Sequence, residues 1–156
     1  MGLEPFRFIG AQPLVNPPLL EVNALEGEGL RFSLRHTFVS DSGVPGYLFD
    51  IFESDGSRVG DATLKITSDF ASVARTGHIG CEVRPELRGL GHTVRLGRVL
   101  MAFAKKHGLT EILLTCGADH SSQIASFREL GGTALDELPA LEAGGKATAR
   151  FRVPLE

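Results

Sequence analysis

Arg88-Gly89-Leu90-Gly91-His92-Thr93 is the stretch of this 156-residue chain whose residue types most plainly imply chemistry. It follows an apolar segment that stops at Val83-Arg84-Pro85 and precedes a helical pattern. Proline cannot donate to a sheet ladder, so it ends the strand. Glycines allow close backbone approach to a ligand, and the free amides and positive dipole end of a helix start attract an anion. Arg88 adds charge, so phosphate binding is the reading to set against an ordinary strand-to-helix loop. Just before it lie Cys81, Glu82 and Val83. Glu82 is the carboxylate best placed to act as a general base, against a solvated or ion-paired role. Cys81 reads first as a small buried apolar residue, and Glu53, Asp61 and His78 are secondary candidates for the base. His120 follows the next apolar strand, where functional residues of open α/β sheets gather. His78-x-x-Cys81 and Cys116-x-x-x-His120 have the spacing of zinc half-sites. Residues three apart on a regular strand point to opposite faces, however, so no metal is expected.

The elements that must position these residues follow from periodicity. Gly77 to Val83 reads as the strand before the loop, and Leu90 to His107 as the helix after it. Val94, Gly97, Leu100, Met101 and Ala104 share one helix face, while Arg95, Arg98, Lys105 and Lys106 lie mostly on the other. Gly108 stops the helix. Glu111 to Cys116 is a short apolar strand, so strand, helix and strand imply a parallel pair joined by a crossover. Ser121 or Ser122 is placed to cap a second helix running to Leu130, which Gly131-Gly132 ends. Upstream, Leu30 to Phe38 alternates with period two. Tyr47 to Glu53 and Arg58 to Thr67 flank Asp55-Gly56, a hairpin signal. Leu19 to Leu25 alternates imperfectly, and the proline-rich residues 1–18 show no period beyond a short arm around Arg7. Thr133 to Leu138 and Ala147 to Leu155 are set to close a final hairpin.

Composition bounds the function. Hydrophobic residues make up 42% and charged residues 22% of the chain, which places it among globular proteins rather than disordered ones. The length suits one domain spanning 1–156. A net charge of −3 gives no basic patch for nucleic acid or an anionic membrane, so neither is an expected partner. Two cysteines make no disulfide framework. No apolar run reaches a bilayer span and no signal-peptide pattern stands at the N-terminus, so a cytoplasmic location is expected.

Together these residues resemble the GNAT superfamily of N-acyltransferases. The family pattern is Gln/Arg-x-x-Gly-x-Gly/Ala after a strand ending in Val-x-Pro, matched here by Val83-Arg84-Pro85 and Arg88 to Thr93. Gly77-His78-Ile79-Gly80, Leu114-Thr115-Cys116, Gly131-Gly132 and Val44-Pro45-Gly46-Tyr47 resemble one bacterial branch of it. The likeness covers roughly residues 44–156, with 77–132 as the acyl-CoA-binding core and 1–43 divergent. It implies an α/β (α+β) fold: a mixed, mostly antiparallel sheet with a splayed parallel central pair and flanking helices. It implies acetyl transfer from acetyl-CoA to a primary amine by direct attack. Arg88, Gly89, Leu90, Gly91, His92 and Thr93 would hold the pyrophosphate, and Cys81, Glu82 and Val83 would align the pantetheine arm. His120 stands where the superfamily often has a cofactor-contacting Asn, so it is a candidate for cofactor contact and for protonating the thiolate. Thr93 replaces the pattern's Gly or Ala, and Phe127 replaces the Tyr that serves many members as general acid. That last substitution motivates the alternative, an acyl-CoA-binding or regulatory module without catalysis. The acceptor is an amine on a small molecule or a protein. A homodimer is compatible with this reading, and the sequence does not choose an oligomeric state.

Overall fold

In a computed structural model, residues 6–9 and 19–156 are described, and they form two antiparallel sheets that share one core. The larger sheet has six strands in sequence order: β1 (Arg7–Ile9), β2 (Ala24–Gly27), β3 (Leu30–Val39), β4 (Pro45–Glu53), β5 (Arg58–Lys65) and β6 (Ile79–Val83). Helix α1 (His92–Lys106) follows, then β7 (Glu111–Gly117), helix α2 (Ser121–Glu129), β8 (Thr133–Ala134) and β9 (Thr148–Pro154). The smaller sheet is ordered β7-β9-β8. The proline-rich segment 10–18 lies outside the described residues.

The alternation read from the sequence is what packs the core. Tyr47, Phe49 and Ile51 point inward from β4, while Leu48, Asp50 and Phe52 stay half-buried. Leu96, Val99, Leu100, Phe103 and Ala104 of α1 are buried against that face, and Ile112, Leu114, Phe151 and Val153 join the same cluster from the small sheet. Tyr47 stacks on Phe49 at 5.7 Å and meets Phe103 at 5.0 Å. Its hydroxyl donates to His107 Nε2 at 2.8 Å and accepts from the Leu20 amide at 2.6 Å, while His107 Nδ1–H donates to the Phe103 carbonyl. Burial pushes the Tyr47 hydroxyl up to about 12. The sole tyrosine is thus a core ligament between α1 and the chain entering β2.

Four expectations change. The expected parallel pair, β6 and β7, shares no ladder: each is an edge strand of its own sheet. The segment entering β6 is tied to β7 through His78, whose amide donates to the Leu113 carbonyl at 2.8 Å and whose Nδ1 accepts from the Leu113 amide at 2.9 Å, and through Thr115 Oγ1, which donates to the Arg75 carbonyl at 2.9 Å. The other ring nitrogen, Nε2–H, donates to the Thr67 carbonyl at 2.9 Å, and the His78 carbonyl accepts from Lys65 on β5. Gly77 brings the chain in at φ 70°, and a Cβ there would lie 2.7 Å from the Leu113 carbonyl. The strand expected from Gly77 therefore starts at Ile79. Helix α1 begins two residues later than periodicity suggested, because Gly91 at φ 86° is its N-cap. The cap of α2 is His120, not Ser121 or Ser122: its Nδ1 accepts from the Gln123 amide. Among the described residues no helix is long and apolar enough to cross a membrane.

His78 is fully buried, and burial lowers the proton affinity of its ring below the ordinary imidazole range, as it does for His107. The unfolded chain therefore takes up these protons first. Stability is full above about pH 6.5 and falls as the pH drops below it, by up to about 1.4 kcal/mol per pH unit for each ring. His78→Ala leaves the Leu113 amide and Thr67 carbonyl without partners, a cost of about 2–4 kcal/mol. Thermal melts between pH 5 and 8 are expected to show a lower Tm for His78→Ala throughout. Between pH 5 and 6.5 its slope with pH should be shallower than that of the parent.

Candidate active site

Because β6 and β7 are both edge strands and share no ladder, a cavity of about 860 Å³ opens between them beyond the His78 contact. Its walls are residues 79–83 of β6, the loop and first turns of α1 over 87–98, residues 114–117 of β7, and His120 with Ser122 and Gln123 of α2. Cys81, Glu82 and Val83, Arg88 to Thr93, and His120 all line this one cavity, whereas the secondary base candidates Glu53, Asp61 and His78 do not. Unpaired edge backbone is a template onto which an extended ligand adds like a strand.

The loop is built for an anion. Pro85–Leu87 form one tight turn, Gly89 lies at φ 80° and Gly91 at φ 86°, and a Cβ on either glycine would meet nothing within 4 Å. Gly91 carries no side chain that could cap the helix, so the first amides of α1 stay available to a ligand. Arg88 donates to the Val83 carbonyl at 3.1 Å and lies 3.6 Å from the Glu82 carboxylate. Glu82 is 77% exposed at the cavity rim and has room for an incoming group.

The secondary base candidates are otherwise engaged. His78 spends both ring nitrogens on core hydrogen bonds, which also removes it as a zinc ligand. Among the described residues no group of three or more His, Cys, Asp or Glu is arranged to hold a metal. Asp61 lies 3.5 Å from Arg58 and 3.7 Å from Arg35. Glu53 receives both arms of the Arg95 fork at 3.0 Å and His92 Nε2 at 2.9 Å. The Arg95 hydrogen bonds, then that of His92, hold its carboxyl below the usual range.

Cys81 faces the cavity interior beside α2, with Gln123 Nε2 3.9 Å from its sulfur. Burial pushes its thiol up, against hydrogen bonds from Gln123 and Thr93, and Cys116 on the facing strand is raised by burial too. His120 Nδ1 serves as an acceptor for the α2 cap, which leaves Nε2 to carry the proton of the neutral ring, and the residue lines the cavity. Phe127 is buried edge-on to Phe151 at 5.7 Å and offers no proton. Gln123, Arg95 and the pairing of Glu53 with His92 escaped sequence reasoning. Their partners are 39 to 42 residues away and no periodic pattern links them.

The profile of the acetyltransferase (GNAT) family matches residues 21–131. No curated protein matches by sequence. Among solved structures, spermidine N-acetyltransferase from Vibrio cholerae, in complex with CoA and spermine, superimposes with TM-score 0.58 at 15% identity, over 70% of this chain and 66% of that one. The Salmonella typhimurium protein yncA, with its cofactor acetyl-CoA, gives TM-score 0.58 at 19% identity, over 74% of this chain and 66% of that one. The Salmonella typhimurium acetyl transferase that modifies the N-terminal serine of ribosomal protein L7/L12 gives 0.57 at 15% identity, over 71% and 64%. This chain thus spans about two thirds of the length of the structures it resembles, and at these identities the likeness is one of fold.

Raised thiols react slowly, since the thiolate is the nucleophile. Cys81 and Cys116 are expected to be alkylated by iodoacetamide at pH 7.5 roughly tenfold or more slowly than free cysteine. Peptide mass spectrometry over a time course reads both rates; labelling at the free-cysteine rate would contradict the buried setting.

Proposed function

Because the chain belongs to the acetyltransferase (GNAT) family, we propose that it transfers an acetyl group from acetyl-CoA to a primary amine by direct attack. One observation carries this reading: two unpaired edge strands diverge from His78 and open onto a glycine loop at a helix start. A long cosubstrate with a pyrophosphate at one end and a thioester at the other needs that combination. The amides at the start of α1, with Arg88, Gly89, Leu90, Gly91, His92 and Thr93, are suited to the pyrophosphate. The β6 edge at Cys81, Glu82 and Val83 is suited to the amide groups of the pantetheine arm.

Acetyl-CoA supplies the activated acetyl thioester; this chain's residues handle charge and protons. The attacking amine must lose a proton, and Glu82 is the carboxylate at the rim with room to take it, directly or through water. A β6 backbone amide is suited to donate to the oxygen on which negative charge develops. His120 Nε2–H is a candidate donor for the role that Phe127 cannot fill, and a thiolate leaves readily enough to make a strong acid unnecessary. Two of the proteins with this fold act on spermidine and on an N-terminal serine, both of which present amines, so the acceptor is proposed as an amine on a small molecule or a protein.

Thiol release from acetyl-CoA, measured across polyamines, amino acids and peptide N-termini, tests the reading. Turnover with at least one amine is expected. Binding of acetyl-CoA without turnover on any amine would favour a non-catalytic binding module instead. Gly91→Val places a Cβ at φ 86° in the loop and is expected to weaken acetyl-CoA at least tenfold while the fold persists. Glu82→Gln is expected to lower kcat by roughly 10²-fold or more while acetyl-CoA still binds; an unchanged kcat excludes Glu82 as the base.

A further inference from the structure

Gln123 lines the cavity from α2 and reaches toward the facing strand: its Nε2 lies 3.9 Å from Cys81 Sγ on β6. A thiol sulfur is a weak acceptor, so this donor stays available to a better one. The hydroxyls along the same walls are committed. Thr76 and Thr115 donate to the Gly77 and Arg75 carbonyls at 3.3 and 2.9 Å. Ser126 donates to the Ser122 carbonyl at 3.2 Å, and the Ser122 hydroxyl lies 3.3 Å from His120 Nδ1. Thr93 reaches the same Cys81 sulfur from the first turn of α1, among the residues suited to the pyrophosphate. Phe127 is one turn beyond Gln123 on the same face of α2 and has no polar side-chain atom to offer.

An arm held at the start of α1 by its pyrophosphate and laid along β6 runs from Val83 toward Cys81 and the His78 contact. Its sulfur then arrives away from the phosphate end, where Cys81, Cys116 and Gln123 wall the cavity. Acetyl transfer makes that sulfur anionic. The amine nitrogen bonds to the carbonyl carbon, the carbon–sulfur bond breaks, and its electron pair stays on sulfur. The amine proton goes to Glu82 and on to solvent. Charge on a sulfur in this setting is penalised: burial pushes the Cys81 thiol up, and the hydrogen bonds from Gln123 and Thr93 oppose that rise. Resting on the acyl-CoA reading above, we propose that Gln123 is a catalytic residue whose Nε2–H leaves Cys81 and donates to the CoA sulfur as the thiolate forms. It transfers no proton; the thiolate takes one afterwards from solvent or His120. A hydrogen bond to a thioester sulfur is weak and one to a thiolate is strong, so the contact favours departure without tightening acetyl-CoA.

The ionisation of bound CoA tests this without an acceptor amine. The ultraviolet absorbance of its thiolate is followed from about pH 7 to pH 10, as the difference between complexes with CoA and with desulfo-CoA, which removes the protein's own thiols and tyrosine. Gln123→Met keeps the length of the side chain and cannot donate. It is expected to bind CoA at pH 7 within about twofold of the parent, with an ionisation constant of the bound thiol about three- to tenfold smaller. Gln123→Glu keeps the shape but sets a carboxylate beside the sulfur, and is expected to lower that constant further. With any amine that turns over, kcat of Gln123→Met should fall about threefold or more while the Kd of acetyl-CoA holds within about twofold. Thermal melts confirm that both variants fold. A side chain that only props α2 against β6 would lower Tm and affinity and leave the ionisation where it was. An ionisation constant unchanged in both variants therefore overturns the proposal while leaving the cofactor reading intact. Failure of the parent to bind either CoA or desulfo-CoA overturns both.

Discussion

The reciprocal hydrogen bonds between His78 and Leu113 are the constraint on which the rest of the molecule depends. One residue of β7 gives both its amide and its carbonyl to one histidine, and that histidine also ties back to Thr67 and to β5. Two sheets that share one core, but no ladder, are thereby hydrogen-bonded to each other, with Thr115 Oγ1 on the Arg75 carbonyl beside this link. Past that point β6 and β7 each keep an unpaired edge, which an isolated protein ordinarily covers or blunts. The cavity is the consequence: its length follows from two strands fixed at one end and free at the other. Gly77 is required there because a side chain would collide with the Leu113 carbonyl, the same atom to which the His78 amide must reach.

At the far end of the opening the chain has solved a second problem, how to keep helix amides available without leaving the helix start loose. Gly91 is an N-cap without a capping side chain, so the helix relies on tertiary ties. Arg95, one turn in, supplies them by bridging Glu53 on β4 and the Glu28 carbonyl. Glu28 is a non-glycine residue at φ 53°, a conformation that its neighbours must hold. The start of α1 is thus braced against the large sheet while its amides face the cavity.

Local signals carried much of this arrangement in the sequence. Asp55-Gly56 between alternating runs marked the β4–β5 hairpin, Gly108 marked the end of α1, and alternation through Ala149, Phe151 and Val153 marked β9. Each depends on residues close together in the chain. The glycine loop was legible for the same reason. What the sequence hid depends on distant partners. It could not show that the two strands flanking α1 belong to different sheets, since that turns on one histidine meeting a residue 35 positions away. It suggested a serine cap for α2, because histidine is not among the usual capping residues, yet His120 Nδ1 fills that role. It offered Glu53 as a base, whereas Arg95 and His92, 42 and 39 residues away, make it a structural anion.

A crystal structure of the protein with CoA is the most direct test of the central claim, that the opening between β6 and β7 is an acyl-CoA site with its phosphate end at α1. The account predicts pyrophosphate oxygens within hydrogen-bonding distance of amides between Gly89 and Thr93, and a pantetheine arm paired with the backbone of Cys81 to Val83. CoA bound elsewhere on the molecule, with the space between β6 and β7 unused, would contradict it.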